Sequence, residues 1–126
     1  MDGVLDVLKE LQGRYRMAIV STSKRVDFEV IHRSRQMMPF FEFVITIEDC
    51  VRAKPDPDPY QQALRRFGVS PAEAIAIEDS ARGLYAAVAA GVDCIVVRNE
   101  FTVTQDFTSA WRIINSLREL PAALTG

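Results

Sequence analysis

Residues 74–91 read AIAIEDSARGLYAAVAAG. The apolar run Ala74–Ile77 has the length of a buried strand, and the alanine-rich segment Ala81–Ala90 predicts a tightly packed helix that ends at Gly91. A polar turn, Glu78-Asp79-Ser80, stands between the two. A strand, a polar turn and a helix in this order are typical of one unit of an α/β sheet.

The alternation of apolar runs with helical patterns continues in both directions from this stretch. Further strands are predicted at Met17–Val20, Phe43–Thr46 and Cys94–Val97. Short apolar strands separated by amphipathic helices imply right-handed parallel crossovers and a sheet covered on both faces. We therefore predict one α/β domain over residues 1–126, built on a doubly wound parallel sheet. The predicted helices lie at Val4–Leu11, at about Arg25–Met37, from Pro59 to Phe67 and at Ser109–Leu120.

Local signals predict how some of these elements begin. Asp58 is a predicted N-cap, with Pro59 at the first helical position. Ser70 and Glu73 have the spacing of a capping box that opens a short turn before the strand at 74–77. In the last predicted helix, Trp111 has the spacing of a residue in the core or at an interface.

The composition fits one globular domain and excludes several classes of partner. Of 126 residues, 15 are basic and 17 acidic, and the net charge of -2 offers little general attraction to nucleic acid or to an anionic membrane. Phosphate recognition therefore has to be local. No apolar run approaches the roughly 20 residues of a membrane span, and the start MDGVLDVLKE lacks a signal-peptide pattern, which predicts a cytoplasmic protein. Cys50 and Cys94 have no metal-like spacing and are interpreted as buried reduced thiols.

Polar side chains follow each predicted strand. Ser21-Thr22-Ser23 follow the first strand, Glu48-Asp49 the second, Glu78-Asp79-Ser80 the third and Arg98-Asn99-Glu100 the fourth, while Lys54 lies in the loop beyond the second. Ligands of doubly wound folds bind outside the carboxyl ends of the strands. Hydroxyls and amides hold phosphate oxygens, a lysine neutralises their charge, and adjacent carboxylates suit Mg²⁺. The sequence thus predicts a metal-assisted phosphoryl site.

The residues that form this site also carry a resemblance to a known family. From Gly3 to about Val97 the chain resembles the haloacid dehalogenase superfamily, in the branch of small phosphatases and phosphomutases that includes phosphoglycolate phosphatase and beta-phosphoglucomutase. Three motifs in order and at fitting spacing make this a specific match, and it implies a Rossmann-like core. The motifs are Ala18–Ser23, the lysine-proline run that begins at Lys54, and Ile75–Ser80 leading through Gly83 to Ala90-Gly91.

The resemblance implies roles for five residues. Ser21 would hydrogen-bond the transferred phosphoryl group, and Thr22 would offer its backbone amide. Lys54 would pair with the phosphoryl oxygens. Glu78 and Asp79 would hold Mg²⁺, Asp79 directly and Glu78 through water. On this view Lys54 and Asp79 are the catalytic candidates, and the partner is a small phosphorylated molecule.

The chain also departs from the family pattern. Family members begin with a strand that ends in two aspartates, the first of which attacks phosphorus, and this strand lies at the centre of their sheet. Here the strand, its nucleophile and the substrate-selecting cap are not found in the sequence. The distance of 15 residues from Asp6 to Ser21 favours the interpretation of the first residues as the helix that leads into the serine motif. The two strands beside the missing one could close on each other, another copy could swap in a segment within a homodimer, or the chain could be a fragment of a longer protein.

Two functional hypotheses follow. The first is slow, Mg²⁺-dependent hydrolysis of small phosphoesters by a metal-activated water, since the aspartyl-phosphate route is missing. The second is a catalytically silent remnant that binds phosphate or works as a subunit, because a fold does not by itself imply function.

Overall fold

The computed structural model describes residues 3–24 and 37–125. Within these ranges short strands alternate with helices along the chain, as the apolar pattern predicts. The helices and strands are α1 (Val4–Leu11), β1 (Ile19–Val20), β2 (Val44–Ile45), α2 (Asp58–Phe67), β3 (Ile75–Glu78), α3 (Ala81–Ala89), β4 (Asp93–Val97), β5 (Arg112–Ile114) and α4 (Leu120–Thr125).

The described strands form two separate parallel sheets. β1 pairs with β2 in one sheet, with Ile19 opposite Val44. The other sheet has the order β3-β4-β5, and Glu78 at the end of β3 lies opposite Val96 of β4. All of these pairings are parallel, so the polar residues that follow β1 and β3 leave their sheets at the carboxyl ends.

Helices cover both faces of the three-stranded sheet. On one face, Leu84 of α3 packs in a core with Val96 of β4. On the opposite face, Leu11 of α1 and Leu120 of α4 pack in a second core with Ile95. Successive side chains of a strand point to opposite faces, so β4 contributes to both cores. This arrangement confirms the prediction of a doubly wound α/β fold.

Several predicted helix boundaries are confirmed. α1 spans Val4–Leu11 and has Asp6 in its first turn, which agrees with the helical interpretation of the chain's first residues. α2 ends at Gly68, whose φ of 72° lies in the left-handed region that favours glycine. The capping box is also present, because Ser70 and Glu73 exchange hydrogen bonds around a short 3₁₀ turn.

The predicted N-cap of α2 is wrong. Asp58 is already inside the helix, and Pro57 occupies the N-cap position. The amide of Asp58 donates to the carboxylate of Asp56 at 2.9 Å. The Asp58 carboxylate instead accepts a hydrogen bond from the amide of Val51 at 2.7 Å and one from Arg52 at 3.3 Å. Asp58 therefore fixes the loop that precedes the helix.

The predicted closing helix over Ser109–Leu120 is also wrong. Residues Arg112–Ile114 form β5, and the helix α4 begins only at Leu120. The amide of Trp111 donates to the carbonyl of Cys94 at 2.8 Å, so pairing with β4 holds this segment extended. Trp111 is 41% exposed at this edge of the sheet, so of the two predicted environments the core is wrong and an interface stays a prediction.

Three further predictions concern a helix, the pairing of β1 with β3, and membrane-spanning segments. The helix predicted at about Arg25–Met37 lies outside the described residues, apart from Met37. Among the described strands β1 and β3 do not pair, so these two have not closed on each other. No helix within residues 3–24 and 37–125 combines the length and apolar character that crossing a bilayer requires.

Candidate functional site

A polar cleft of about 540 Å³ opens at the carboxyl ends of β1 and β3. Its volume lies in the range of small-molecule sites. All five predicted site residues line it, although they come from three separate loops. The lining residues are Val20, Ser21, Thr22, Lys54, Glu78, Asp79, Ser80, Arg82, Gly83 and Gln105.

A buried ion pair closes the floor of this cleft. The Lys54 ammonium lies 2.6 Å from Oε2 of Glu78, and the two side chains are only 8% and 9% exposed. The same ammonium donates to the carbonyl oxygen of Val20 at 3.0 Å. Lys54 therefore links the end of β1 to the end of β3, and each buried charge has a partner, as burial requires.

Tyr60 completes this buried cluster, and sequence reasoning missed it as a site residue. Its hydroxyl donates a hydrogen bond to the same Glu78 oxygen that pairs with Lys54. The Lys54 ammonium lies 5.2 Å from the centre of the Tyr60 ring, within cation–π range. Burial, reinforced by the Glu78 charge, raises the pKa of the Tyr60 hydroxyl well above its ordinary value of 10.0. Tyr60 thus stays protonated and acts as a donor that fixes Glu78.

Gly83 makes room for the Glu78 carboxylate. A Cβ atom at position 83 would lie 2.0 Å from Oε1 and 2.2 Å from Cδ of Glu78. Moving the carboxylate would break its contacts with Lys54 and Tyr60, so the side chain has little freedom to yield. The sequence motif contained Gly83, but only the close approach of helix α3 to Glu78 explains why glycine is needed there.

Ser21 and Thr22 form the opposite wall of the cleft. The Ser21 amide donates to the carbonyl of Ile45 at 2.8 Å, which continues the β1–β2 ladder. The Ser21 hydroxyl oxygen accepts from the amide of Ser23 at 3.0 Å, and a hydroxyl can accept and donate at the same time. Thr22 is exposed at the rim.

The amino end of α3 forms the third wall. Ser80 is the N-cap, and its hydroxyl accepts from the Gly83 amide at 3.3 Å. The side chain of Gln105 caps the Ala81 amide at 2.8 Å. The start of a helix favours negative charge, and Arg82 adds a cation to the cleft lining. Sequence reasoning missed Arg82 and Gln105. Gln105 is far in sequence from the helix that it caps, so no local pattern indicated its role.

Asp79 differs from Glu78 in its surroundings. It is exposed on the cleft wall, whereas Glu78 is held inward by Lys54. Within the described ranges no three His, Cys, Asp or Glu side chains lie close enough together to hold a metal ion by themselves.

The other polar groups that follow strands do not line the cleft. Asp49 accepts from the backbone amide of Thr46 at 2.8 Å and so caps the turn after β2. Arg98 bonds the side chain of Asn115 at 2.9 Å, and Asn99 caps a turn by accepting from the amide of Phe101. These groups stabilise loops.

The two thiols also differ in environment. Cys94 is 1% exposed in the core beneath the cleft, while Cys50 is half-buried, and both are free. Burial raises the pKa of the Cys94 thiol from 9.0 to about 12, with a further contribution from the Glu78 carboxylate. Burial also raises the pKa of Cys50. Neither thiol is poised as a nucleophile.

Known proteins are similar to this chain in sequence and in fold. The protein YhcW of Bacillus subtilis is 40% identical over 124 residues, which are 98% of this chain and 56% of YhcW. The fructose-1-phosphate phosphatase YqaB of Escherichia coli is 32% identical over 75% of this chain and 50% of its own length. The crystal structure of CbbY from Rhodobacter sphaeroides in complex with phosphate has a TM-score of 0.85 and 33% identity, and the match covers 94% of this chain and 55% of CbbY.

The chain thus spans about half the length of the relatives that it matches. A model of the haloacid dehalogenase-like hydrolase family matches residues 1–97, and these residues contain the serine, lysine and acidic motifs of the cleft. The chain belongs to the haloacid dehalogenase-like hydrolase family.

Proposed function

We propose that this chain is a phosphohydrolase that releases phosphate slowly from small, accessible phosphoesters with the help of Mg²⁺. One observation carries the proposal. Ser21, Thr22, Lys54 and Asp79 come from three separate loops and line one polar cleft. Relatives that include a fructose-1-phosphate phosphatase, and CbbY in complex with phosphate, support phosphate as the bound group.

The donors present suit Mg²⁺ only together with a phosphorylated ligand. Mg²⁺ is commonly bound by one or two carboxylates, several waters and substrate phosphate oxygens, not by an all-protein cage. Asp79, exposed on the cleft wall, would supply the direct carboxylate, and Glu78, engaged by Lys54, would act through water. When bound, Mg²⁺ neutralises phosphoryl oxygens and lowers the pKa of a water ligand.

The chain's own residues would bind and orient the phosphoryl group. The Ser21 hydroxyl accepts from the Ser23 amide at 3.0 Å and would donate its own proton to a phosphoryl oxygen. Lys54 uses two of its three donors on Val20 and Glu78, which leaves the third for a phosphoryl oxygen. The positive end of α3 and Arg82 add further attraction for an anion. Slow turnover is expected because no aspartate nucleophile is found in the sequence and covalent catalysis would be lost.

Hydrolysis of an activated aryl phosphate such as 4-nitrophenyl phosphate tests this function. The rate should fall when Mg²⁺ is removed and in Asp79→Asn, while Asp93→Asn, an exposed aspartate at the start of β4, serves as the matched control. Equal rates for the parent chain with Mg²⁺, without it, and for Asp79→Asn would contradict the proposal.

A silent phosphate-binding role is the second candidate. It is motivated by the missing aspartate nucleophile, while Ser21, Thr22 and Lys54 still line the cleft. For this role, phosphate would raise the melting temperature with no detectable turnover. Release of phosphate by highly purified protein, lost in Asp79→Asn, would reject it.

A further inference from the structure

Arg82 lines the cleft without a partner. Its guanidinium makes no hydrogen bond, ion pair or ring contact with any residue in the ranges 3–24 and 37–125. Each of the other arginines in these ranges lies against a carboxylate, an amide side chain or an aromatic ring, as Arg16 does against Glu42 and Arg112 against Trp111. The Arg82 donors are therefore available to a ligand in the cleft.

The position of Arg82 is unfavourable for its own helix. It lies in the first turn of α3, two residues after the N-cap Ser80. The start of a helix favours negative charge, so a cation there is disfavoured. α1 and α2 follow the usual preference, with Asp6 and Asp58 in their first turns, whereas the first turn of α3 has no acidic residue. Departures from a local rule of this kind are expected at functional sites.

The side chain of Gln105 offers a second donor beside Arg82. Its Oε1 accepts from the amide of Ala81, the residue before Arg82, at 2.8 Å. Because this oxygen faces the helix, the NH₂ group of the same side chain is left to donate, and it has no partner in the described part of the chain. Gln105 and Arg82 both line the cleft. A guanidinium and an amide together suit an anionic group with two or more oxygens.

The two cations of the cleft lie at different depths. Lys54 on the floor is 8% exposed and is neutralised by Glu78 at 2.6 Å, whereas Arg82 is exposed. Helical side chains lean toward the amino end of their helix, so Arg82 extends over the start of α3, where the cleft opens. With the transferred phosphoryl group near Lys54 and Ser21, the rest of a phosphoester extends toward this opening. The cleft of about 540 Å³ has room for it.

We infer that Arg82, with the Gln105 amide beside it, binds a second anionic group of the substrate and so selects phosphoesters that carry a carboxylate or a second phosphate remote from the transferred phosphoryl group. The inference rests on the proposed function for the position of the phosphoryl group. Both kinds of anion match the planar fork of a guanidinium. Since water competes at this exposed position, Arg82 distinguishes between substrates and does not supply most of the affinity.

Non-hydrolysable phosphonates test the inference, because binding is then measured without turnover. Calorimetric titrations at saturating Mg²⁺ compare 3-phosphonopropanoate and propane-1,3-diphosphonate with propylphosphonate, which carries no second anion. At least one of the two charged compounds should bind about tenfold or more tightly than propylphosphonate, and the tighter of the two identifies the preferred anion. Arg82→Gln should reduce this preference to roughly twofold or less. Arg14→Gln is the matched control and should keep it, since Arg14 is exposed and lies outside the cleft lining.

Three results would overturn the inference. The first is that no phosphonate binds or that all three bind with equal affinity. The second is the same preference in Arg82→Gln as in the parent chain, with circular dichroism showing the variant to be folded. The third is an equal loss of preference in Arg14→Gln, which would indicate a general effect of surface charge. Failure to hydrolyse 4-nitrophenyl phosphate would contradict the proposed function and leave these affinities unchanged, so the two failures are distinguishable.

Discussion

The Lys54 ammonium lies 2.6 Å from Oε2 of Glu78, with both side chains more than nine-tenths buried. Lys54 comes from the loop beyond β2 and Glu78 from the end of β3, so this pair joins the two sheets. Tyr60 donates to the same carboxylate, and Gly83 leaves space for it. The floor of the cleft is therefore one connected polar cluster whose members depend on each other.

Removing the Glu78 charge should destabilise the protein strongly. Glu78→Gln leaves the buried Lys54 ammonium without its counter-charge, and breaking such a pair costs about 3–5 kcal/mol. Urea unfolding measures this free energy. Glu42→Gln is the matched control, because Glu42 pairs with Arg16 at 2.8 Å but both side chains are exposed. It should change stability little. Similar losses in the two variants would show that burial of the Lys54–Glu78 pair is unimportant.

Adding a methyl group at position 83 should also be costly. Gly→Ala inside a helix normally stabilises by about 1 kcal/mol. Here the new Cβ would overlap the Glu78 carboxylate, so Gly83→Ala should instead destabilise by about 1–3 kcal/mol. In a Glu78→Ala background the obstacle is gone, and Gly83→Ala should become neutral or stabilising. A double-mutant cycle, measured by chemical denaturation, gives the interaction free energy between positions 78 and 83. Additive effects of the two substitutions would show that the Glu78 carboxylate is not what excludes a side chain at position 83.

Stability should decline at alkaline pH because of Cys94. Burial raises the pKa of this thiol in the folded state from 9.0 to about 12. Below pH 9 both states keep the proton, whereas between pH 9 and about 12 the unfolded state loses it first. The free energy of unfolding should therefore fall with rising pH, with a contribution from this thiol of about 1.4 kcal/mol per pH unit. In Cys94→Ala the free energy of unfolding should fall less steeply between pH 9 and 11 than in the parent chain. Parallel curves of this free energy against pH for the two proteins would contradict a contribution from Cys94.

Neighbouring isoleucines in β5 should respond very unequally to truncation. Ile114 is 6% exposed in the core with α1 and α4, whereas Ile113 is 44% exposed. Ile114→Ala should cost about 2–5 kcal/mol, and Ile113→Ala much less. Thermal unfolding followed by circular dichroism compares them. Equal effects would be inconsistent with the strand, in which alternate side chains face opposite sides.

The alternation of strands and helices could be predicted from the sequence, and so could several residues of the cleft, because both depend on local sequence patterns. Short apolar runs marked the strands, and polar residues followed them at their carboxyl ends, where a parallel sheet gathers them. Ser21, Lys54 and Asp79 were found in this way, and all three line the cleft.

The wrong or missed predictions concern segments in which tertiary contacts, and not the local sequence pattern, determine the structure. Trp111 and Ile114 have helical spacing, but pairing with β4 makes this segment a strand. Tyr60 lies on the apolar face of a helix, so nothing in its spacing revealed that its hydroxyl reaches Glu78. Asp58 is of a residue type that often caps helices, yet its carboxylate bonds amides of the preceding loop.

Calorimetric titration with inorganic phosphate tests most directly whether this cleft is a phosphate site. The account predicts saturable binding that depends on Mg²⁺, is weakened about tenfold or more by Asp79→Asn and is unaffected by Asp93→Asn. No saturable binding in the presence of Mg²⁺, or the same affinity in both variants, would contradict it.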